Sequence, residues 1–403
     1  MTHSTHSSSK PSSATYPTLR TERSRSRATL RFLCVRLDSL GDVLMTTPAI
    51  AAIRETYPAA HITLLTSQAG GAIAPLLPDI DETLIYDAPW LKATAPRKNS
   101  QPEFEWIEQL RDRQFDIAII FTVYSQSPLP SAMMAYLADI PLRVAHCREN
   151  PYQLLSHSIR DPEPETLIRH EAQRQLDLVA TLGCKTHNPR LRLHVPASAH
   201  ATIAQRLAKL NLDSNFNARP WIVVHAGASA PSRRYPPHLF AQAVQSLSDQ
   251  GITPLFTGID SETSLIEQIR NDLTGPTHSL VGQLSLSELA ALLSAAPLLL
   301  SNNTGPVHIA AAVGTPVVDL YALTNIQHTP WRVPNRVLYQ SVACRCCYKS
   351  ICPEGHHDCL SKVSPEKVVE AVLSLLEITQ QENVSNDCRT QVSQSPLAKL
   401  IEV

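Results

Sequence analysis

The stretch Val35 to Ile53, VRLDSLGDVLMTTPAIAAI, has the pattern of a strand and a helix joined by a ligand-binding turn, yet it is poor in glycine. A dinucleotide site needs the spacing G-x-G-x-x-G at this point, so that a pyrophosphate can lie on the helix N-terminus. Here the one glycine, Gly41, is followed directly by Asp42, and Ser39 precedes it in the same loop. A carboxylate at the place of a phosphate is either a helix cap or a group that does chemistry.

The stretch Leu298 to Ala322, LLLSNNTGPVHIAAAVGTPVVDLYA, predicts a second ligand-binding turn, in which a buried strand leads into a helix. Asn303 and Thr304 offer capping oxygens, and Pro306 suits the first helical turn. The free N–H groups and the dipole of such a helix start attract an anion such as a pyrophosphate. His308 lies one turn further and can add a hydrogen bond or a charge. The alternative is an ordinary capped helix with a surface histidine.

The loop His225 to Phe240, HAGASAPSRRYPPHLF, supports an anion site in the same half of the chain. Its small residues follow the predicted strand WIVV and allow a ligand to approach the backbone closely. Arg233 and Arg234 stand just before a helix that begins with proline, and a guanidinium can pair with phosphate oxygens through two parallel hydrogen bonds. Two arginines on one loop are often merely solvated, but beside the second turn they favour a phosphate site.

A cysteine-rich segment, CRCCYKSICPEGHHDCL, runs from Cys344 to Cys359 and contains five of the nine cysteines. Cys344, Cys347, Cys352 and Cys359 have the spacing C-x2-C-x4-C-x6-C, which could hold a structural zinc ion through four thiolates. Reduced thiols without a metal are the alternative, since the spacing differs from that of a standard zinc finger. A disulfide suits a cytosolic protein least. We expect the chemistry itself to require no metal and no other cofactor.

Strands and helices must position these candidate residues, and from Arg31 onwards the chain alternates short apolar runs with helical segments. RFLCVRL and HITLLTS are predicted strands. Between them a helix is predicted to start at Pro48, capped by Thr46 or Thr47, and to end at about Tyr57. The same alternation continues along the chain, which favours parallel sheets covered by helices on both faces.

The chain divides into two similar halves, because a second strand-helix series begins at PWIVVHAG. We predict an α/β protein with two Rossmann-like, doubly wound domains, 31–200 and 218–378, facing each other across a cleft. Ligands of such sheets bind beyond the carboxyl ends of the strands, which should therefore point into the cleft. Residues 1–30, rich in Ser, Thr and Arg, are predicted to be a disordered tail, and 379–403 a polar tail.

The composition argues against several functional classes. Lys and Arg number 35 against 36 Asp and Glu, a net charge of -1, so no overall field attracts nucleic acid. No apolar run approaches the roughly 20 residues of a membrane-spanning helix, and the N-terminus has no apolar signal core. We therefore expect a cytoplasmic protein that binds no nucleic acid.

Three motifs, in this order along the chain, resemble those of glycosyltransferase family 9, the heptosyltransferases of lipopolysaccharide core synthesis. In that family the first-domain loop ends in Gly-Asp, here Gly41-Asp42. The second domain has a Lys-or-Arg-x-Trp-Pro element, here RRYP from Arg233 to Pro236, and a Ser-Asn-Asp-Ser/Thr-Gly-x-x-His element, here SNNTGPVH. Each motif alone is weak, but their order and spacing together identify the resemblance, which covers roughly Arg31 to Leu375.

The resemblance implies the GT-B architecture and an inverting transfer of a sugar, typically heptose from ADP-heptose, to a hydroxyl of a lipid-linked or free saccharide. The donor would lie against the second domain, with its diphosphate on Arg233 and the helix start, and the acceptor against the first. Asp42 would then be the general base, because inversion needs a base on the side opposite the leaving diphosphate. The implied donor-binding residues are Arg233, Asn303, Thr304, Gly305 and His308, and the implied acceptor-side loop contains Ser39, Gly41 and the catalytic Asp42.

The sequence also departs from the family pattern. Asn303 stands where many members have Asp, Tyr235 replaces the usual Trp, and LTNIQHTPWRVPN follows the last strand where many members have Gly-Pro-Thr. The sugar and the nucleotide base therefore stay open. Two other hypotheses also remain, a sugar-nucleotide epimerase of similar build and a non-catalytic nucleotide-sugar or glycan-binding protein, the latter favoured if Asp42 is only a cap. A glycolipid acceptor would bring the protein to the cytoplasmic face of the inner membrane.

Overall fold

The structure, a computed structural model, describes residues 29–92, 94–212 and 220–393. The predictions for residues 1–28 and 394–403, within the two tails, lie outside the described residues. The backbone is helical as far as Ser393, so the segment after residue 378 continues the last helix where the sequence predicted a tail. No helix in the described ranges is both long and apolar enough to span a bilayer.

Two six-stranded sheets form the centre of the described chain, and all their strand pairs are parallel. The first sheet consists of β1 (Arg31–Arg36), β2 (His61–Thr66), β3 (Glu82–Ile85), β4 (Ile117–Ile120), β5 (Leu142–Cys147) and β6 (His157–Arg160). The second consists of β7 (Trp221–His225), β8 (Thr253–Phe256), β9 (His278–Ser279), β10 (Leu299–Asn302), β11 (Val317–Leu320) and β12 (Asn335–Leu338).

The two sheets have the same topology. The first has the order β3-β2-β1-β4-β5-β6, and the second has the order β12-β11-β10-β7-β8-β9. In such doubly wound sheets the strand order reverses at one point, and ligands bind in the crevice beyond the carboxyl ends of the two strands at that point. Here these strands are β1 and β4 in the first sheet and β7 and β10 in the second. The predicted pair of Rossmann-like domains is therefore confirmed, and the topology marks one ligand crevice in each.

The described ranges contain twelve α-helices, ten of them between strands and two after the last strand. They are α1 (Leu40–Thr56), α2 (Gln68–Gly71), α3 (Gln101–Arg113), α4 (Leu129–Leu137), α5 (Glu171–Ala180), α6 (Ala197–Lys209), α7 (Pro237–Asp249), α8 (Thr263–Asn271), α9 (Leu286–Ala295), α10 (Gly305–Val313), α11 (Asp358–Ser361) and α12 (Pro365–Ser393). The central strands β4, β7 and β10 are buried along their whole length, as expected for parallel strands covered on both faces.

Helix α1 begins at Leu40, so the predicted start at Pro48 is wrong. Ser39 is the N-cap residue, and Asp42, three residues on, completes a capping box with it. The Asp42 Oδ2 atom accepts hydrogen bonds from the backbone N–H of Ser39 at 3.1 Å and from its hydroxyl at 2.6 Å. These two bonds to Asp42 outweigh the weaker signal that a proline gives for a helix start.

Pro48 lies inside α1 without ending it. A proline lacks the N–H that would bond to the carbonyl four residues earlier, here that of Leu44. The Thr47 hydroxyl donates to this carbonyl at 2.6 Å and replaces the missing bond. The two threonines that the sequence predicted as caps thus lie within the helix, where Thr46 bonds back to the Asp42 carbonyl at 2.9 Å.

The two domains share part of their apolar core. One cluster of buried side chains joins Val43 and Leu44 of α1 to Val307 and Ala311 of α10. The start of α1 lies so close to α10 that a Cβ atom on Gly41 would be 2.7 Å from the Cδ2 atom of His308. The cleft between the domains is therefore narrow at this point, and a glycine is required there for steric reasons.

Candidate functional site

A cavity of about 880 Å³ lies between the two domains, at the loops that follow the strands. Every residue that the resemblance placed in the donor site or the acceptor-side loop lines it: Ser39, Gly41, Asp42, Arg233, Asn303, Thr304, Gly305 and His308. The structure thus brings together residues that are far apart in the sequence, such as Asp42 and Asn303.

Asp42 is held at the first turn of α1 with 16% of its side chain exposed. Burial alone would raise its pKa, but the guanidinium of Arg36 and the hydrogen bond from Ser39 hold the pKa below its usual range. The carboxylate is therefore ionised at neutral pH. Asp42 contributes to the cap as the third helical residue. The N-cap position itself, which was the alternative role predicted for Asp42, is occupied by Ser39.

Arg36, at the end of β1, supports this carboxylate and was missed by sequence reasoning. Its fully buried guanidinium contacts Asp42 Oδ1 through Nη2 at 3.2 Å, Glu171 Oε1 through Nη1 at 2.9 Å and Asp38 Oδ2 through Nε at 3.1 Å. Burial raises the pKa of Glu171 to about 7, so this group is partly protonated near neutrality. The signal in the sequence is an arginine at the end of the apolar strand RFLCVRL.

The start of α10 is not capped by a side chain. Thr304 is the N-cap residue, but it makes no capping hydrogen bond, and the Asn303 amide donates instead to Asp319 Oδ2 and to the His328 carbonyl, both at 2.9 Å. The prediction that these two residues cap the helix is therefore wrong. Since Thr304 and Gly305 line the cavity, the helix start can receive an anion there.

Asp319 is a second residue that the sequence analysis missed. It is completely buried in β11, behind Asn303. Burial raises the pKa of Asp319 to about 8, so its carboxyl group is mostly uncharged at neutral pH. A polar residue in the middle of the apolar run VVDLYA was the signal that could have revealed it.

His308 and His328 line the cavity as neutral side chains. Burial lowers the pKa of His308 to about 3 and that of His328 to about 4. His308 is therefore neither the surface histidine of the alternative prediction nor a source of positive charge at neutral pH. Within the described chain, the buried atoms His308 Nδ1 and His328 Nε2 have no hydrogen-bond partner.

Arg233 lies in a short 3-10 turn after β7, and the cysteine-rich segment holds this turn in place. The Ser232 N–H donates to the carbonyl of Ser350 at 3.0 Å, and the Ser232 carbonyl accepts a hydrogen bond from His357 Nε2 at 2.6 Å. The predicted helix that follows the two arginines begins at Pro237. The function visible for the cysteine-rich segment is thus to support an arginine of the cleft.

No three His, Cys, Asp or Glu side chains of the described ranges form a group that could hold a metal ion. Cys344, Cys347, Cys352 and Cys359 are free thiols of intermediate exposure, and Cys344 Sγ lies 3.8 Å from His356 Nε2. The zinc site that the cysteine spacing suggested therefore gains no support from the side-chain geometry.

Comparison with known proteins gives one consistent result. The family model described as glycosyltransferase family 9 (heptosyltransferase) matches residues 104–358. Lipopolysaccharide heptosyltransferase 2 of Escherichia coli is 22% identical over 357 residues, which are 86% of this chain and 99% of that protein. Lipooligosaccharide heptosyltransferase 2 of Haemophilus ducreyi is 25% identical over 364 residues, again 86% of this chain and 99% of the relative.

Solved structures show the same fold. A glycosyl transferase family 9 protein from Veillonella parvula superimposes with a TM-score of 0.69 at 22% identity, over 86% of this chain and 97% of that one. The ADP-heptose lps heptosyltransferase II of E. coli gives 0.65 at 22% identity, over 88% and 100% of the two chains. The predicted GT-B architecture is confirmed.

Proposed function

The chain belongs to glycosyltransferase family 9 and is a glycosyltransferase, and from this premise we propose that it transfers heptose from ADP-heptose to a saccharide hydroxyl with inversion at the anomeric carbon. The acceptor we propose is a lipopolysaccharide-type glycan, as the names of the relatives indicate. A glycosyltransferase is neither the epimerase nor the non-catalytic binding protein of the two other hypotheses.

One observation carries this proposal. A single cleft is lined by an ionised carboxylate, Asp42, on the first domain and by Arg233 and the start of α10, which suit an anion, on the second. Inverting transfer needs these two groups on opposite sides of the anomeric carbon, since the hydroxyl attacks from the face opposite the leaving group.

The second domain offers contacts for each part of a nucleoside diphosphate sugar. Arg233 and the N–H groups at the start of α10 suit the diphosphate. Glu262 follows β8, the second strand of its domain, where Rossmann folds place the carboxylate that binds ribose hydroxyls. The apolar side chains that line the cavity beside them suit a nucleotide base; they are Ile259, Leu284, Leu286, Leu289 and Ile309.

In the proposed reaction the acceptor oxygen forms a bond to the anomeric carbon while the bond from that carbon to the phosphate oxygen breaks. The electron pair of the breaking bond leaves with ADP, whose negative charge Arg233 and the helix dipole stabilise. The hydroxyl proton passes to Asp42. Because the pKa of Asp42 is low, this transfer becomes favourable only as the new bond acidifies the hydroxyl, late in the reaction.

The location follows from the acceptor. A lipid-linked acceptor would hold the enzyme at the cytoplasmic face of the inner membrane, where we propose that it works by peripheral contact. No metal enters this scheme, because the positive charge needed at the diphosphate comes from Arg233 and the helix start.

The experiment that tests the proposal is mass spectrometry of reactions with ADP-, UDP- and GDP-sugars and a deacylated lipopolysaccharide core. Transfer from ADP-heptose gives free ADP and an acceptor enlarged by one heptose. If a different nucleotide sugar is the better substrate, the donor assignment is wrong. If no sugar nucleotide enlarges the acceptor, the proposed reaction fails.

A further inference from the structure

A second cavity, of about 260 Å³, lies at the ligand crevice of the first domain. Its lining includes Leu37 and Asp38, which follow β1, and Phe121 and Thr122, which follow β4. These are the two strands between which the strand order reverses, which is where ligands of doubly wound sheets bind. The two cavities share no lining residue.

We propose that this cavity binds one uncharged sugar ring of the acceptor, stacked on Trp90, with Asp38 and Gln126 on its hydroxyls. The inference rests on the proposed function, because it names the acceptor half of the same reaction. It assigns a specific pocket and a ring type to the acceptor, which family membership alone does not provide.

Trp90 supplies the apolar surface. Trp90 is 38% exposed and lines the cavity, and the buried ring of Tyr86 contacts it edge-on at a centroid distance of 5.9 Å. A sugar ring has one face of C–H groups, which packs on a flat aromatic surface while the hydroxyls at the ring edge remain free for hydrogen bonds. A tryptophan fixed from behind is suited to that contact.

Asp38 and Gln126 supply the polar edge. Gln126 donates to Asp38 Oδ1 at 2.7 Å and accepts from the Val123 N–H at 3.3 Å, so its amide is oriented. The second amide proton of Gln126 and the remaining lone pairs of Asp38 are suited to hydroxyl groups. Asp38 is the one ionisable side chain of this lining, so the cavity offers no cation to pair with an acidic sugar.

Arg36 contacts one carboxyl group from the lining of each cavity. Its guanidinium touches Asp38, which lines the small cavity, and Asp42, which lines the large one. Asp38 and Asp42 thus contact the same buried guanidinium, which puts the proposed ring site and the proposed base in the same region of the first domain. This arrangement suits an acceptor whose reacting hydroxyl must reach Asp42.

The test uses Trp90→Ala, Trp90→Phe and Gln126→Ala, with Phe104→Ala as the matched control, since Phe104 is an exposed aromatic of the same domain that lines neither cavity. Steady-state transfer is measured from saturating ADP-heptose to deacylated core oligosaccharides that end in either a neutral heptose or an acidic sugar. We expect Trp90→Ala to raise the acceptor KM about tenfold and Gln126→Ala about threefold, with kcat changed less than about threefold. Trp90→Phe should recover most of the loss, and the control should match the wild type.

Donor affinity by calorimetry shows whether each variant is folded and separates the two proposals. An acceptor KM unchanged in both Trp90→Ala and Gln126→Ala, at normal donor affinity, overturns the pocket while the transfer reaction stands. A preference for the acidic acceptor overturns the uncharged ring. A wild-type protein that binds no nucleotide sugar overturns the proposed function itself. If Trp90→Ala loses donor affinity as well, Gln126→Ala replaces it as the deciding variant, and an acceptor KM unchanged in Gln126→Ala overturns the pocket.

Discussion

The two domains have one topology but place different charged groups at their ligand crevices. In the first, three carboxylates, those of Asp38, Asp42 and Glu171, surround the single guanidinium of Arg36. In the second, Arg233 and the start of α10 face the cavity, while the buried groups beside them are held neutral. The shared strand order fixes where ligands bind, and the side chains after each strand decide which half of a transfer reaction each crevice suits.

The contrast between the two crevices predicts the largest loss of activity at Asp42. Asp42→Asn keeps the shape and much of the capping ability but cannot accept a proton. We expect turnover to fall by roughly a hundredfold to ten-thousandfold, the usual contribution of a positioned acid or base. Donor affinity should change less than about twofold, since the proposed diphosphate contacts belong to the other domain. Single-turnover kinetics with calorimetry of donor binding measures both.

Ser39→Ala is the control for this variant. It removes the hydroxyl that donates to Asp42 Oδ2 but keeps the carboxylate. It should therefore lower stability by about 1 kcal/mol, the net contribution of one hydrogen bond, and leave most of the turnover. If Asp42→Asn keeps more than about a third of the wild-type rate with chemistry rate-limiting, Asp42 serves the helix cap alone and the contrast between the crevices loses its chemical meaning.

The opposite crevice is tested at Arg233. Arg233→Ala should weaken binding of ADP-heptose by about 1.5 to 3 kcal/mol, the range for a charge-assisted hydrogen bond, or roughly 10- to 150-fold. Arg234→Ala is the matched control, because Arg234 Nε already donates to the Ala228 carbonyl at 2.7 Å. Equal calorimetric losses in the two variants would show that overall positive charge, and not the position of Arg233, holds the diphosphate.

The contact between the two crevices can be broken at Gly41. A Cβ atom there would meet the ring of His308 at 2.7 Å, so Gly41→Ala should force the domains apart and lower kcat/KM roughly tenfold, as overpacking costs about 1 to 3 kcal/mol. His308→Ala alone should weaken donor binding less than Arg233→Ala, since the backbone N–H groups remain. The double variant Gly41→Ala/His308→Ala should recover part of the loss. Simple additivity of the two single effects would contradict this contact.

The sequence predicted both the fold and the lining of the cleft, because the strand-helix pattern occurs twice and three motifs agree with one another. The alternation of strands and helices predicted both domains, and the three motifs predicted eight residues that line one cleft. What failed was local capping. Pro48 resembled a helix start, but the Ser39 and Asp42 box starts α1 earlier, and Thr47 replaces the bond that the proline lacks.

Residues that act through buried charge were not predictable in the same way. Arg36, Glu171 and Asp319 lie in or beside apolar segments, where a charged residue in the sequence does not reveal its partner. Arg36 and Glu171 are 135 positions apart, and only the folded chain brings them to 2.9 Å. Their effect depends on the pKa shifts that burial causes, which a linear pattern does not contain.

The smallest effect we expect concerns the neutral character of the second crevice, and it appears only as pH changes. Burial raises the pKa of Asp319 from its usual range to about 8. A carboxyl group whose pKa is higher in the folded than in the unfolded state stabilises the fold fully at acidic pH, and this contribution is lost as pH rises through the folded value. The unfolded pKa is about 4, so the wild-type melting temperature should fall relative to that of Asp319→Asn between about pH 4 and 8, and the difference should change little above about pH 9.

Donor binding should follow the same titration. Ionised Asp319 adds a negative charge behind Asn303, near the proposed diphosphate site, so the Kd of ADP-heptose should rise roughly threefold from about pH 7 to 9 in the wild type. In Asp319→Asn it should stay flat, because the amide does not ionise and can still accept the hydrogen bond that Asn303 donates. Between about pH 5.5 and 7 both proteins should bind equally, since His308 and His328, with pKa values of about 3 and 4, remain neutral throughout. A wild-type Kd that is constant over the whole range would mean that the diphosphate does not sense this carboxyl group. The uncharged setting of the second crevice would then have no bearing on the donor.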